Sequence, residues 1–286
     1  MTIDADNRIF RVRNMTRADL QHAYRWSVEE GWNIGKHDHD VFFATDPAGF
    51  FVGELDGKPI GSVSGVGYGD DYGFIGIYIV QNEFRGRGYG RPIFDRAMSY
   101  LANRCVGLDG VIAQQDNYRR SGFNLAYRNI RVGWKAPQNL TTAPGILHAA
   151  DVPFDRLVEY DARHFFAPRA GFVSGWIRQP DATPLVAVEH DKIVGFGMVR
   201  PAVSGFLVGP LFADSTTIAE NLFHALCSYH AGSEVFLDVP EINSAGVSMA
   251  DRLGLTQIFE TARMYTGAVP ELPMDHIFGV TTFELG

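Results

Sequence analysis

The feature that most constrains this chain is that its second half repeats the order and spacing of its first. LDGKPIG at Leu55 to Gly61 is echoed by HDKIVG at His190 to Gly195, and the pair Leu108-Asp109 by Leu237-Asp238. Arg131 stands nine residues beyond Gly122 in GFNLAYRNIRVG, and Arg263 stands nine beyond Gly254 in GLTQIFETARMYTG. Identity between the halves is low, so what repeats is a plan of elements and turns. The polar, proline-bounded stretch Ala136 to Pro144 is the natural break, with the composition of a short linker. Two domains of ordinary size are therefore expected, residues 1–135 and 145–286.

Each half reads as a mixed α/β unit with a mostly antiparallel sheet. Phe10 to Arg13 alternates as a strand, and Thr16 with Asp19 three residues on opens a helix that Gly31 closes. Strands are expected at Phe50 to Leu55, Ile60 to Val66 and Phe74 to Val80, joined by DGK and GDDYG turns. An amphipathic helix with Ile93, Phe94, Ala97 and Leu101 then crosses to a buried strand at Val106 to Ile112, and a crossover of that kind makes two strands parallel. The second half repeats this: a strand at Ile146 to His148, a helix at Phe154 to Arg163, strands at Leu185 to Val188, Ile193 to Val199 and Gly205 to Leu211, and a crossover helix at Ile218 to Tyr229. The apolar segment Ile277 to Leu285 is expected as a structural strand near the seam. Pairing in the second sheet is the favoured placement, although the first half lacks an obvious last strand of its own.

Composition narrows the partners. Lysine and arginine number 25 against 33 acids, a net charge of −8, which argues against nucleic acid. Cys105 and Cys227 have no CxxC spacing, so neither a disulfide framework nor a cysteine zinc site is expected, and a reducing cytoplasm fits. The residues MTIDADNR hold no apolar leader core, and the longest apolar run, Gly73 to Val80, is far short of a membrane span. A cytoplasmic protein without membrane or metal partners is expected, with homodimerisation left open.

The strongest chemical signal is RGRGYG, Arg85 to Gly90, between an apolar strand and an amphipathic helix. Glycines there let backbone amides converge on an oxyanion at the positive end of the helix dipole, and Arg85, Arg87 and Arg91 add charge. The spacing fits neither GxxxxGK[ST] nor GxGxxG. VQNEFRGRGYG resembles the motif of the GNAT acetyltransferases, a strand followed by [QR]xxGxG and a helix. The resemblance implies acetyl-CoA as acyl donor, its pyrophosphate on Arg85, Gly86, Arg87, Gly88, Tyr89, Gly90 and Arg91, and its pantetheine arm along Tyr78, Ile79 and Val80. A second family pattern, N-x6-Y-x3-G-[FL], counted back from Gly122, puts Tyr118 at the tyrosine. The resemblance implies that Tyr118 is the general acid for the departing thiolate.

The first half departs from the family at two places. Val111 stands where asparagine is usual, and GFIGIYIV has no glutamate to act as base. Asp70, Asp71, Glu29 and Glu30 are the candidates for that role through water. In the second half, Asn243 occupies the asparagine slot, but Ala250 stands at the tyrosine and Asp214 sits in GPLFADSTT where the phosphate loop belongs. EGWNIGKHD, LDGVIAQQDNY and GPLFAD resemble tandem GNAT proteins with a divergent C-terminal domain, which implies an N-terminal catalytic and a C-terminal non-catalytic unit. The acceptor, a primary amine of a small molecule or peptide, is expected against Glu29, Glu30, Trp32, Asn33, Gln114 and Gln115. HDHD, His37 to Asp40, is expected as a polar loop at that entrance, GVSMA at Gly246 as ordinary helix, and both cysteines as buried thiols near helix ends. The alternative is an acyl-CoA-binding regulatory module without turnover.

Overall fold

The structure, a computed structural model, describes residues 2–3 and 8–286. The leader-free start expected above falls largely on residues 1 and 4–7, which lie outside the described residues. In chain order the first half forms β1 (Thr2–Ile3), β2 (Ile9–Asn14), α1 (Leu20–Glu29), α2 (Asp38–Thr45), β3 (Phe50–Leu55), β4 (Lys58–Tyr68), β5 (Tyr72–Val80), α3 (Gly90–Tyr100), β6 (Cys105–Val111), α4 (Gln115–Arg120) and β7 (Asn124–Lys135). The second forms β8 (Ile146–His148), α5 (Phe154–Ala162), α6 (Ala170–Trp176), β9 (Thr183–Glu189), β10 (Lys192–Pro201), β11 (Phe206–Ala213), α7 (Thr216–Ser228), β12 (Glu234–Pro240), α8 (Ser244–Leu253), β13 (Thr256–Tyr265) and β14 (Ile277–Gly279). From β2 and from β8 onward the two series have the same order of strands and α-helices. Among the described residues no helix is long and apolar enough to cross a membrane.

The strands make one 14-stranded sheet in the order β1-β2-β3-β4-β5-β6-β13-β7-β12-β11-β10-β9-β8, with β14 on β11. Its centre is an exchange. β13 pairs antiparallel with both β6 and β7, and β7 in turn pairs with β12. The missing last strand of the first half is thus supplied by β13, and β7 lies against the second half's β12. Among the described residues only β5 with β6 and β11 with β12 run parallel, each linked by a crossover helix, α3 or α7.

The duplicated residues meet across this exchange. Arg131 on β7 donates twice to Asp238 on β12, at 2.6 and 2.7 Å. Arg263 on β13 donates twice to Asp109 on β6, at 3.0 and 2.6 Å. Each arginine therefore reaches the aspartate of the other half, and all four are buried, where a charge is tolerated only with its partner in place.

Helices α1, α2, α5 and α6 share one apolar cluster that draws on both halves, including Trp26, Phe42, Leu157, Tyr160 and Trp176. Separate clusters lie under α3 in the first half and under α7 and α8 in the second. Neither α2 nor α6 was expected. The sequence AGFVSGW of α6 has two glycines and weak intrinsic helicity, so packing decides, and Phe42 stacks on Trp176 at 6.1 Å between the two helices. The HDHD segment accordingly belongs to the start of α2 and is not a loop. At α1 the expected signal operates: the Asp19 carboxylate accepts from the Thr16 amide at 2.7 Å and from Arg13.

Two further expectations are corrected. The segment Ile277 to Leu285 is strand only over Ile277–Gly279, paired with β11, and then turns away. Cys105 opens a strand and is half-buried, whereas Cys227 is buried on α7.

Candidate active site

The site begins where β5 and β6 part. They pair from Tyr72 opposite Cys105 to Ile75 opposite Leu108 and then separate. On its other edge β5 carries a bulge: Gly76 faces Ser64 and Ile79 faces Ser62, so Ile77 and Tyr78 are opposed by a single residue. Ile77 sits at φ 48°, a left-handed conformation that a β-branched residue adopts only under constraint, at a cost of about 1–3 kcal/mol. The parted strands open a cavity of about 690 Å³. Gly76 to Val80, Leu108 and Tyr118 form its first-half wall, while Ile258, Phe259, Phe283 and Glu284 close it from the second half.

The glycine loop lies at one end of this cavity, directly before α3. Gly86 and Gly88 have φ of 73° and 87°, and a Cβ on either would meet nothing within 4 Å. Loop amides at the N-terminus of an eleven-residue helix suit a phosphate group. Gly90 opens α3, and a Cβ there would lie 2.5 Å from the Tyr78 hydroxyl. The loop's side chains differ from expectation. Arg85 is ion-paired to Glu30 and donates to the Val80 carbonyl at 2.7 Å, Arg91 is paired with Asp95 at 2.7 Å, and Arg87 is exposed. Tyr89 is buried against Phe10 at 5.0 Å and accepts from Arg8, so its ring belongs to the core.

Tyr118 lines the cavity and packs against Phe94 and Phe123 at 6.2 and 6.4 Å. Gly110 makes room for it, since a Cβ there would stand 2.4 Å from the ring. Burial pushes the Tyr118 phenol well above its usual range, with the neighbouring Tyr78 adding to the shift. It is therefore a neutral proton donor at physiological pH. Of the other expected residues, Ile79, Glu30, Trp32, Asn33 and Gln114 line the cavity. Gln115 is buried at the start of α4, and Glu29 is exposed beside Arg25.

The segment between α1 and α2 is held by the second half. Asn33 exchanges hydrogen bonds with Ser204 at 2.9 Å, and the buried Asp38 accepts twice from Arg200 at 2.8 and 3.0 Å. This side of the cavity, lined by Trp32 and Asn33, is consequently held by both halves.

The acids considered as bases are either away from the cavity or already paired. Asp70 and Asp71 sit in the β4–β5 turn, at the opposite end of β5 from the parted strands. Three acidic residues line the cavity, Glu30, Asp109 and Glu284; Glu30 and Asp109 are ion-paired, to Arg85 and Arg263, and Glu284 comes from the segment after β13. Its main-chain carbonyl packs on Gly76, where a Cβ would come within 2.1 Å of it. A glycine inside the strand GFIGIYIV is the one local signal of such a close backbone approach.

The corresponding cleft of the second half is filled. β11 and β12 pair from Phe206 opposite Val235 to Val208 opposite Leu237 and then part. Here β14 enters, pairing with Leu211 and Phe212, while the Val280 amide donates to the Asp238 carbonyl at 2.9 Å. Asn243 holds the plug: its amide caps α8 by accepting from Gly246 at 2.9 Å and donates to the Ile277 carbonyl at 2.9 Å. Asp214 accepts from the Tyr160 hydroxyl at 2.9 Å. Among the described residues, His164, Asp214 and His276 bring potential metal-ligating atoms within 4.8 Å of one another, away from the first cavity. In the HDHD segment, Asp38 is committed to Arg200.

Residues 14–123 match the acetyltransferase (GNAT) family and residues 157–279 a second acetyltransferase (GNAT) domain. Over 269 residues the chain is 30% identical to a holothin acyltransferase of Pseudoalteromonas sp. (strain SANK 73390), covering 94% of this chain and 92% of the relative. In fold it is similar to a putative acetyltransferase from Pyrococcus horikoshii, with a TM-score of 0.82 at 22% identity over 97% and 96% of the two chains. It is also similar to a tandem GNAT protein from the clavulanic acid biosynthesis pathway, with a TM-score of 0.62 at 11% identity over 92% and 99%.

Proposed function

The chain belongs to the GNAT acyltransferases as a tandem of two such domains, and we propose that its first half transfers an acetyl group from acetyl-CoA to the primary amine of a small molecule. The observation that carries this reading is that one cavity joins the glycine loop, the parted β5 and β6, and the Tyr118 phenol, whereas the second cleft is occupied by the chain itself. The residues fit the donor. Gly86 and Gly88 leave open space before a helix N-terminus for its phosphates, and β5 beyond Ile75 has its edge free of β6, where an extended amide-bearing arm can pair.

The thioester supplies an activated acyl carbon. The chain's part is to hold an amine in line with that carbon, to take the proton the amine loses, and to give one to sulfur as the C–N bond forms and the C–S bond breaks. Tyr118 is suited to the last task because it stays protonated at neutral pH. Trp32, Ile258, Phe259 and Phe283 make the acceptor side apolar, which favours a compact amine over a charged peptide.

Thiol release from acetyl-CoA, measured against a broad amine panel, tests the reading. Holothin heads the panel because of the relative's name. Turnover with at least one amine is expected, and its absence throughout leaves only the binding-module alternative. Calorimetry is expected to count one CoA per chain, since two equivalent sites contradict a filled second cleft. Gly88→Val is expected to abolish that binding, because φ of 87° excludes a β-branched residue without local rearrangement.

A further inference from the structure

We propose that Glu284, delivered from the second half into the first cleft, is the general base that deprotonates the acceptor amine. The inference rests on the acyl-transfer reading above and deepens it: the half without a usable cleft completes the active site of the other.

The placement is fixed from several sides. The Glu284 carbonyl lies on Gly76, beside the bulge and the strained Ile77. The amides of Glu284 and Leu285 donate to the Thr282 hydroxyl at 2.8 and 3.1 Å, and the Tyr68 hydroxyl donates to the Leu285 carbonyl at 3.1 Å. Phe283 carries the Arg131 guanidinium over its ring at 4.6 Å. Glu284 therefore lines the same cavity as Tyr118 from a hydrogen-bonded turn.

Its electrostatic setting suits a base. Two cations face it, Arg131 from β7 and Arg200 from β10, but each is doubly bonded to another carboxylate, Asp238 and Asp38 respectively. Asp38 on α2 adds repulsion, and the Thr282 hydroxyl favours the charged form. Asp109 of β6 and Glu30 also line the cavity, paired with Arg263 and Arg85. Burial is the largest influence, and the carboxyl is pushed up to about 6. Such a group is ionised at pH 7 and has more proton affinity than an ordinary glutamate.

The protons balance. An ammonium acceptor gives one proton to Glu284 and becomes a free amine. As its nitrogen bonds to the acyl carbon, the C–S bond breaks and sulfur takes the Tyr118 proton. The second nitrogen proton restores Tyr118, and Glu284 releases its proton to solvent.

The test compares wild type with Glu284→Gln and Glu284→Asp on two acceptors, an alkyl amine that is protonated at pH 7 and an aromatic amine that is not. Wild-type turnover should rise with pH through about 6, because the base must be ionised. Glu284→Gln should lose roughly 10²- to 10⁴-fold in kcat on the alkyl amine, together with the limb near pH 6 seen with that acceptor, and far less on the aromatic one. Glu284→Asp should retain that limb with reduced kcat, and CoA affinity should be unchanged in both variants. An unaltered limb in Glu284→Gln, or equal losses on both amines, overturns the base while leaving acyl transfer standing. A wild type that consumes no thioester with any amine overturns the reading beneath it as well.

Discussion

The two clefts start from the same geometry and end with different contents. In each, a parallel strand pair separates one residue before a glycine, Gly76 after Ile75 and Gly209 after Val208. The same stretch of chain crosses both glycines: the Thr281 carbonyl lies 2.5 Å from where a Cβ on Gly209 would stand, and the Glu284 carbonyl 2.1 Å from one on Gly76. In the second cleft this stretch contributes a strand that seals the gap, while in the first it contributes a carboxylate and leaves a cavity. A duplicated fold can therefore become asymmetric through a few residues outside the repeat. One stretch of chain both fills the second cleft and supplies a lining residue of the first.

Removing that stretch should break the comparison most severely. Ile277, Phe278, Val280, Phe283 and Leu285 are all buried, and at about 1.5–3 kcal/mol for each large side chain their burial amounts to on the order of 10 kcal/mol. That is the size of a domain's whole stability, roughly 5–15 kcal/mol. Truncation after Gly267 is expected to leave an insoluble or unfolded chain without acyltransferase activity. A soluble truncation with native denaturant stability and full turnover would show that the stretch is dispensable to both clefts.

A second contrast is Tyr118 in the first half against Ala250 in the second. Tyr118→Phe is expected to lower kcat by about 10² to 10⁴ with CoA affinity nearly unchanged, because the hydroxyl acts on the departing sulfur and adds little to ground-state binding. Ala250→Tyr should create no second site, since β14 still fills the gap. Single-turnover kinetics with calorimetry check both, and wild-type turnover in Tyr118→Phe removes the phenol from the mechanism.

The third contrast tests the exchanged strands. Arg263→Ala leaves Asp109 buried with only the Asn129 and Thr261 side chains as donors, at an expected cost of about 3–5 kcal/mol. Arg131→Ala should cost a similar amount and also impair turnover, because Arg131 lines the cavity, donates to the Asn33 carbonyl at 2.9 Å and covers Phe283. Urea unfolding and steady-state assays distinguish the two. Equal activity loss per unit of lost stability in both variants argues against a special role for the Arg131 side.

These ion pairs also show how far the sequence could be read. Spacing alone singled out Arg131, Arg263 and the two Leu-Asp pairs as duplicated, the strand-loop-helix pattern marked the glycine loop, and the resemblance to the GNAT motif marked Tyr118. Nothing local said that each arginine would choose the aspartate of the other half. Partner choice depends on β7 and β13 lying side by side in the sheet, which periodicity within either strand does not encode. Glu284 was hidden for the same reason: it follows the repeat in sequence and reaches β5 only through tertiary contact. Its trace was Gly76, a strand glycine with no turn to explain it. The helices α2 and α6 were missed because their mutual packing, not their composition, makes them helical.

The smallest expected effect concerns Asn243, whose counterpart in the first half is Val111. The Asn243 side chain caps α8 and tethers Ile277 at the entrance to β14, whereas Val111 lines the open cavity and provides no cap. Replacing Asn243 by Ala removes one N-cap, typically about 1 kcal/mol, and strands the Ile277 carbonyl at a further cost of about 1 kcal/mol or more. The total, near 2 kcal/mol, should not unfold the chain. It should loosen the one strand that leads to Glu284, so turnover is expected to fall severalfold while CoA affinity stays at the wild-type value. Urea titration gives the stability loss, and hydrogen exchange at the Val280 amide, which bonds the Asp238 carbonyl, reports whether the loosening has reached the stretch that links the clefts. Lost stability with unchanged exchange and unchanged kcat means that the cap serves α8 alone and that the two clefts are not coupled through β14.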